Sequence, residues 1–166
     1  EQFEMGRIKD AARAWARQET VDDTLRTVSR KAKADVARLP WEIVKIDGAD
    51  EATADAHRQA LLDFYNNLRV TDALHRTVRG GVRLLVQQMM DSVGKGHAVH
   101  ETVWKPQPGR LRAEFSFLPL WYFEGITGQL RFLEDDWALY GRDLEPGGWL
   151  VTSMADPLMP ATSLAV

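Results

Sequence analysis

Four short segments carry residue types that chemistry could use. His97, His100 and Glu101 are of metal-ligating type, two imidazoles and a carboxylate within five residues. On a helix the three would share a face. On a strand His97 and Glu101 point one way and His100 the other. Val99, Thr102 and Val103 favour the strand, so polar residues on a pleat are the better reading and a metal-dependent enzyme the alternative. Gly94-Lys95-Gly96 invites a phosphate loop but fails as one. Position 89 is Met, Gly96 stands where Ser or Thr should follow the lysine, and the order is helix to strand. A glycine closing a helix explains it better. Glu134-Asp135-Asp136 could hold a divalent cation, though a solvated turn between strands is the better reading. Arg26, Arg30, Lys31 and Lys33 fill one side of a helical pattern and could touch phosphate, as in a nucleic-acid-binding module. Asp22, Asp23 and Asp35 are interleaved with them, which points to a solvated face. His57 and His75 fall on separate helical faces. With no cysteine and no Gly-x-Ser-x-Gly elbow, nothing favours an enzyme. We assign no catalytic residue, no cofactor and no metal.

The elements that would position these residues follow from the apolar periodicity. Residues 7–38 read as a helix in two pieces. Ile8, Ala11, Ala12 and Trp15 are spaced for the first, and Val21, Leu25, Val28, Ala32 and Val36 for the second, with Thr20 or Asp22 as N-cap. Pro40 ends it. Trp41 to Ile46 alternates as a strand, and Asp47-Gly48 turns the chain. Residues 50–94 read as helix again. Ala56, Ala60, Leu61, Phe64 and Leu68 form one stripe. Thr71 is a cap, and Leu74, Val78, Val82, Leu85, Val86, Met89 and Val93 form the continuation. Gly80-Gly81 would mark a kink or a close backbone approach. After Gly96 the period drops from 3.6 to 2. His97 to Trp104 and Leu111 to Phe117 form a hairpin around Pro106-Gln-Pro-Gly109, with Leu111, Ala113, Phe115 and Phe117 on one face. Short strands follow at 121–124, 129–133 and 149–152. The fold class is α+β: a helical arm, then long helices packed on a mostly antiparallel sheet of short strands.

The 166 residues include 21 Lys plus Arg and 24 Asp plus Glu, for a net charge of -3. A strongly basic nucleic-acid grip over the whole chain is thereby excluded. No stretch approaches the length of a spanning helix, so no membrane is expected. The sequence starts at Glu1 without methionine and ends Pro160 to Val166 without a closing element, which reads as part of a longer protein.

The segment Val86 to Trp104 resembles the Mu-type phage portal proteins. In that family a helix ends at a glycine and the following strand carries Gly-x-x-x-x-Glu-x-x-Trp. Gly96, Glu101 and Trp104 fill those places here. Phe115-Ser-Phe117 with Pro119, Leu130-Arg-Phe-Leu133 and Pro146-Gly-Gly-Trp-Leu-Val151 are similar to that family in the same order. Leu39-Pro-Trp-Glu-Ile43 is similar to its first wing strand. The likeness spans roughly residues 20 to 152, and the ordered series carries it.

The resemblance implies a non-enzymatic phage or prophage structural protein. Its subunits form a ring, typically of twelve, at one capsid vertex. Double-stranded DNA passes through the ring without sequence-specific binding. Terminase, capsid and head-completion proteins are the implied partners. The implied locations are the virion and, during assembly, the host cytoplasm. The division expected is a helical arm at 1–38, an α+β wing-like domain at 39–155 and a truncated tail at 156–166. Another capsid or tail component is the further alternative. The structural and assembly residues expected are Gly96, Glu101, Trp104, Phe115, Phe117 and Trp15. Phe115 and Phe117 should pack on the helix carrying Leu85 and Met89. The stripe from Val21 to Val36 should dock within the subunit, and the piece around Trp15 should meet a neighbouring subunit.

Overall fold

A computed structural model describes residues 6–154. Helix α1 (Lys9–Val21) gives way to α2 (Asp23–Ala37) at a single extended residue, Asp22. Its carboxylate accepts a hydrogen bond from the Leu25 backbone N–H at 2.9 Å and so caps α2. Asp50 caps α3 (Glu51–Asn66) in the same way, accepting from Thr53 N at 2.9 Å.

Between α2 and α3 the expected strand does not form. Residues 41–46 take no regular secondary structure and pair with no strand among the described residues. The turn at Asp47-Gly48 is present, with Gly48 at φ +79°. The expected continuous helix over 50–94 is also broken. After α3 come β1 (Arg69–Asp72) and β2 (Arg79–Gly80), and only then α4 (Val82–Met89) and α5 (Asp91–Lys95). Thr71 is therefore a strand residue, not a helix cap. The reason is tertiary. β1 lies parallel to β4 (Ala113–Leu118), which puts Val70 beside Phe115 and buries it almost completely. Pairing and burial outweigh the helical spacing, which Leu74 and Val78 continue only on the surface. Gly80-Gly81 makes a strand-to-helix corner, not a kink. Gly81 is the N-cap of α4, and a Cβ on Gly80 would sit 2.7 Å from Leu84 Cβ.

The period change after Gly96 gives β3 (His97–Trp104). A 3-10 turn at Leu120–Tyr122 and the short strands β5 (Phe123–Glu124), β6 (Arg131–Phe132) and β7 (Arg142–Asp143) precede β8 (Trp149–Ser153). Five strands form one sheet in the order β2-β1-β4-β3-β8, and β5-β6-β7 form a second, smaller one. Every pair is antiparallel except β1 with β4.

The register assigns the two faces of the large sheet. Thr102 lies beside Phe115, and His100 beside Phe117 and Leu150. That face packs on α3 and α4, where Phe64, Leu68, Val70, Leu85, Ala113 and Phe115 form one core. Val99, with Leu118 and Val151 beside it, faces the other way. There Ile8, Ala12, Leu120, Phe123 and Leu130 join Val99 in a second core. The fold is thus α+β, with one sheet between two unequal apolar layers.

Candidate functional site

The chemistry-bearing segments resolve into ordinary structure. Strand β3 sends His97 and Glu101 to one face and His100 to the other, as alternation requires. No group of three or more His, Asp or Glu among the described residues is placed to hold a metal ion. His100 is fully buried, and its Nε2 lies 3.2 Å from Gln88 Oε1. Gln88 in turn donates to Thr71 O at 3.2 Å. This polar chain ties α4 to β1 and β3. Burial pushes the His100 imidazole down to about 4, against the pull of the Asp91 carboxylate. Burial lowers His97 as well. A neutral His100 that donates from Nε2 leaves Nδ1 as a bare acceptor, and Nδ1 is buried without a partner.

The carboxylate run is a turn between β6 and β7, and each member is already engaged. Glu134 pairs with Arg142 at 3.2 Å. Asp135 accepts from Trp137 N and Ala138 N at 2.8 and 2.7 Å. Asp136 holds Arg13 at 2.6 Å and Lys9. Those two cations keep the Asp136 carboxyl below its ordinary range, the Lys9 hydrogen bond contributing most.

The basic stripe of α2 is partly consumed. Arg26 pairs with Asp23 and reaches Thr20 O. Lys33 pairs with Glu19 and Asp91, and Lys95 joins both carboxylates at 2.7 and 3.0 Å. Burial opposes the Lys95 charge, but Asp91 and Glu19 together raise its pKa above the ordinary value. This half-buried network fastens α1 and α2 to α5. A second basic feature was not visible in sequence. Arg69, Arg76 and Arg79 line an open cleft of about 560 Å³ on the sheet face beside β1. They are ten residues apart in the chain, and only the β1–β2 pairing brings them together.

The expected docking of the α2 stripe within the subunit does not hold. The half-buried residues of α2 are Arg26, Ser29, Lys33, Ala34 and Ala37. The apolar stripe points outward. Val21, Leu25, Val28, Ala32 and Val36 are all exposed, Val28 by 61%. Trp15, conversely, packs against the second core of its own subunit. The face of α2 turned inward carries Lys33, whose ion pairs with Glu19 and Asp91 join it to α1 and α5.

The remaining residues singled out lie along β3 and β4 or at their ends. Gly96 closes α5 with φ +79° and open space around it, so its glycine is required by conformation and not by crowding. Glu101 is exposed on β3. The Trp104 indole donates to Gly147 O at 2.6 Å and stacks on Phe64 at 6.2 Å. Phe115 packs in the core with Leu85 and Met89. Phe117 departs from that pairing: its ring tilts over His100 at 5.3 Å and borders a small cavity with Asp91 and Lys95. Residues 156–166 lie outside the described residues.

No helix among the described residues is long and apolar enough to cross a membrane. A family model described as portal protein of Mu bacteriophage matches residues 12–160. No curated protein matches the chain.

Proposed function

The chain belongs to the Mu-type phage portal family, and from that premise we propose that it forms the wing-like, N-terminal part of a portal subunit. The subunits close into a ring, typically of twelve in the family, at one vertex of the capsid. Double-stranded DNA is packaged and ejected through it. The match over residues 12–160 is the observation that carries this reading. Three physical features support it. The apolar stripe of α2 is left open for a partner. The net charge of -3 disfavours sticking of phosphate to the bulk of the chain. His100 serves a fold contact, its Nε2 meeting Gln88 Oε1 inside the subunit.

On this reading the partners are further copies of the chain, then terminase, capsid and head-completion proteins. The location is the virion, with assembly in the host cytoplasm. Residues 1–38 act as an arm and residues 39–155 as the wing-like domain. Gly96, Glu101, Trp104, Phe115, Phe117 and Trp15 hold subunit shape, not chemistry.

The test is to express the complete reading frame and measure mass by light scattering, with electron microscopy of the particles. Closed rings with a central channel are expected. A subunit that stays monomeric at every concentration would refute the reading. One specific competitor is the arginine cleft. Salt-dependent duplex affinity that Arg79→Ala abolishes would favour a nucleic-acid-binding module.

A further inference from the structure

Residues 41–46 have the composition of a strand without the pairing of one. Trp41, Ile43, Val44 and Ile46 are β-branched or aromatic. Yet Trp41, Val44 and Ile46 are exposed by 46%, 74% and 80%. The odd-numbered residues lie along α3. The Trp41 ring meets Tyr65 edge-on at 5.6 Å, and Lys45 pairs with Asp55 at 2.8 Å. The Ile43 carbonyl accepts from Arg58 at 3.0 Å. The even-numbered residues, Glu42, Val44 and Ile46, face away. Between Glu51 and Ala60 every α3 residue except Ala54 is exposed. The segment and this half of α3 therefore stand off the core together.

A matching edge lies at one end of the large sheet. β8 is the last strand and pairs only with β3. Thr102 N donates to Gly148 O at 2.7 Å and Met154 N to Gly96 O at 3.1 Å. Those bonds place the even-numbered residues of β8 in the hydrogen-bonded pairs with β3. The backbone N–H and C=O groups of Trp149, Val151 and Ser153 therefore point outward. Among the described residues no backbone group bonds them. Trp149 to Ser153 contains no lysine, proline or other charge of the kind that blunts a free edge. The opposite edge, β2, is two residues long and carries Arg79 of the arginine cleft.

We propose that residues 41–46 of one subunit add as a strand to the β8 edge of a second copy. The inference rests on the ring reading above, which supplies the second copy. The contact pairs two different surfaces of the same chain, so it is head-to-tail and propagates from subunit to subunit. Six residues reach about 20 Å, enough to run the length of β8. Strand addition gives the outward backbone groups of both segments their partners. It also turns Val44 and Ile46 onto the neighbour's sheet layer while Trp41 and Lys45 stay on their own α3.

Residues 1–166 contain no cysteine, so in the full-length protein, with any cysteine beyond them replaced by serine, disulfide trapping reads the contact with little background. Val44→Cys and Ile46→Cys are each mixed with Val151→Cys and Ser153→Cys chains and assembled under mild oxidation. The expected result is a covalent dimer in at least one mixture and in no variant alone. A chain carrying both substitutions should give a ladder of multimers. Rings that form normally without a cross-link in any mixture would overturn the inference and leave the ring reading standing. Cross-linked dimers without rings would do the reverse. A bond formed only within one chain would place residues 41–46 on the β8 edge of their own subunit and overturn the inference. As an independent measurement, Val44→Pro removes a ladder donor at an exposed site. It should shift ring mass toward free subunits at unchanged subunit melting temperature, and unchanged ring mass would count against strand addition.

Discussion

His100 makes the fold acid-sensitive in a window where few other groups titrate. Its folded pKa lies near about 4, against about 6.5 in the unfolded chain. The sign follows from proton counting. Below about pH 6.5 the unfolded chain binds a proton that the folded chain refuses, so stability falls as pH falls. The loss ends once the folded imidazole also protonates, near about pH 4. Linkage over that interval removes about 2 kcal/mol between about pH 7.5 and pH 5. For a domain of this size that is about 4 to 8 °C in melting temperature. His97, which burial also lowers, adds in the same direction. Asp50, Asp63, Glu114 and Asp136 have depressed pKa values, so their stabilisation fails at lower pH, below about 4. The assay is urea unfolding at a series of pH values for the wild type and for His100→Gln. The glutamine amide keeps a donor for Gln88 but cannot titrate. The variant should lose most of the slope between about pH 6.5 and pH 4.5, retaining the share from His97. Equal slopes, or an imidazole pKa above about 6 for His100 by NMR, would refute the argument.

The ion network predicts that Lys33→Ala loosens the arm at a cost of about 1 to 3 kcal/mol, because Asp91 and Glu19 are half-buried beside it. Faster hydrogen exchange in α2 with β3 unchanged is the readout. Because Lys95 is raised above 10.5, its contribution is present below that value and is lost as pH rises through the folded pKa, so the arm should loosen in alkali. Gly6 and Gly96 share a positive φ, but a Cβ on Gly6 would sit 2.3 Å from the Gly125 carbonyl carbon. Gly96→Ala should cost about 1 to 2 kcal/mol from conformation alone and Gly6→Ala clearly more; equal costs in thermal melts would contradict the close approach. Phe115→Ala should cost about 3 to 5 kcal/mol in the buried core, and Phe117→Ala less, because that ring borders a cavity. Trp15→Ala should lower subunit stability, whereas Val28→Asp should leave it within about 0.5 kcal/mol and act on assembly alone. The reverse pattern in melting and particle sizing would restore the division expected from sequence.

What the sequence disclosed and what it hid divide along the range of the deciding interaction. The α1–α2 break, the Gly96 hand-over and the β3–β4 hairpin rest on signals within a few residues: a cap, a positive φ and an alternation. β1 was hidden because its reason to be a strand lies more than forty residues away in β4. A parallel pair leaves no turn signature between its partners. The arginine cleft was hidden for the same reason, since it exists only once β1 and β2 pair. The rotation of α2 was hidden more deeply, because periodicity identified the right stripe and then implied the wrong side. An apolar stripe says that a face wants cover, and it does not say whose. The side chains that could answer were Glu19, Lys33, Asp91 and Lys95, which are scattered along the sequence and gathered only by the fold. Residues 41–46 pose the same problem for a strand. The alternation is genuine, yet this subunit supplies no ladder to complete it. Both errors have one physical form: patterning encoded for burial, read as burial within one chain. On the ring reading proposed above, a neighbouring copy would supply the cover that both segments lack in this subunit, and particle sizing of Val28→Asp and Val44→Pro tests it.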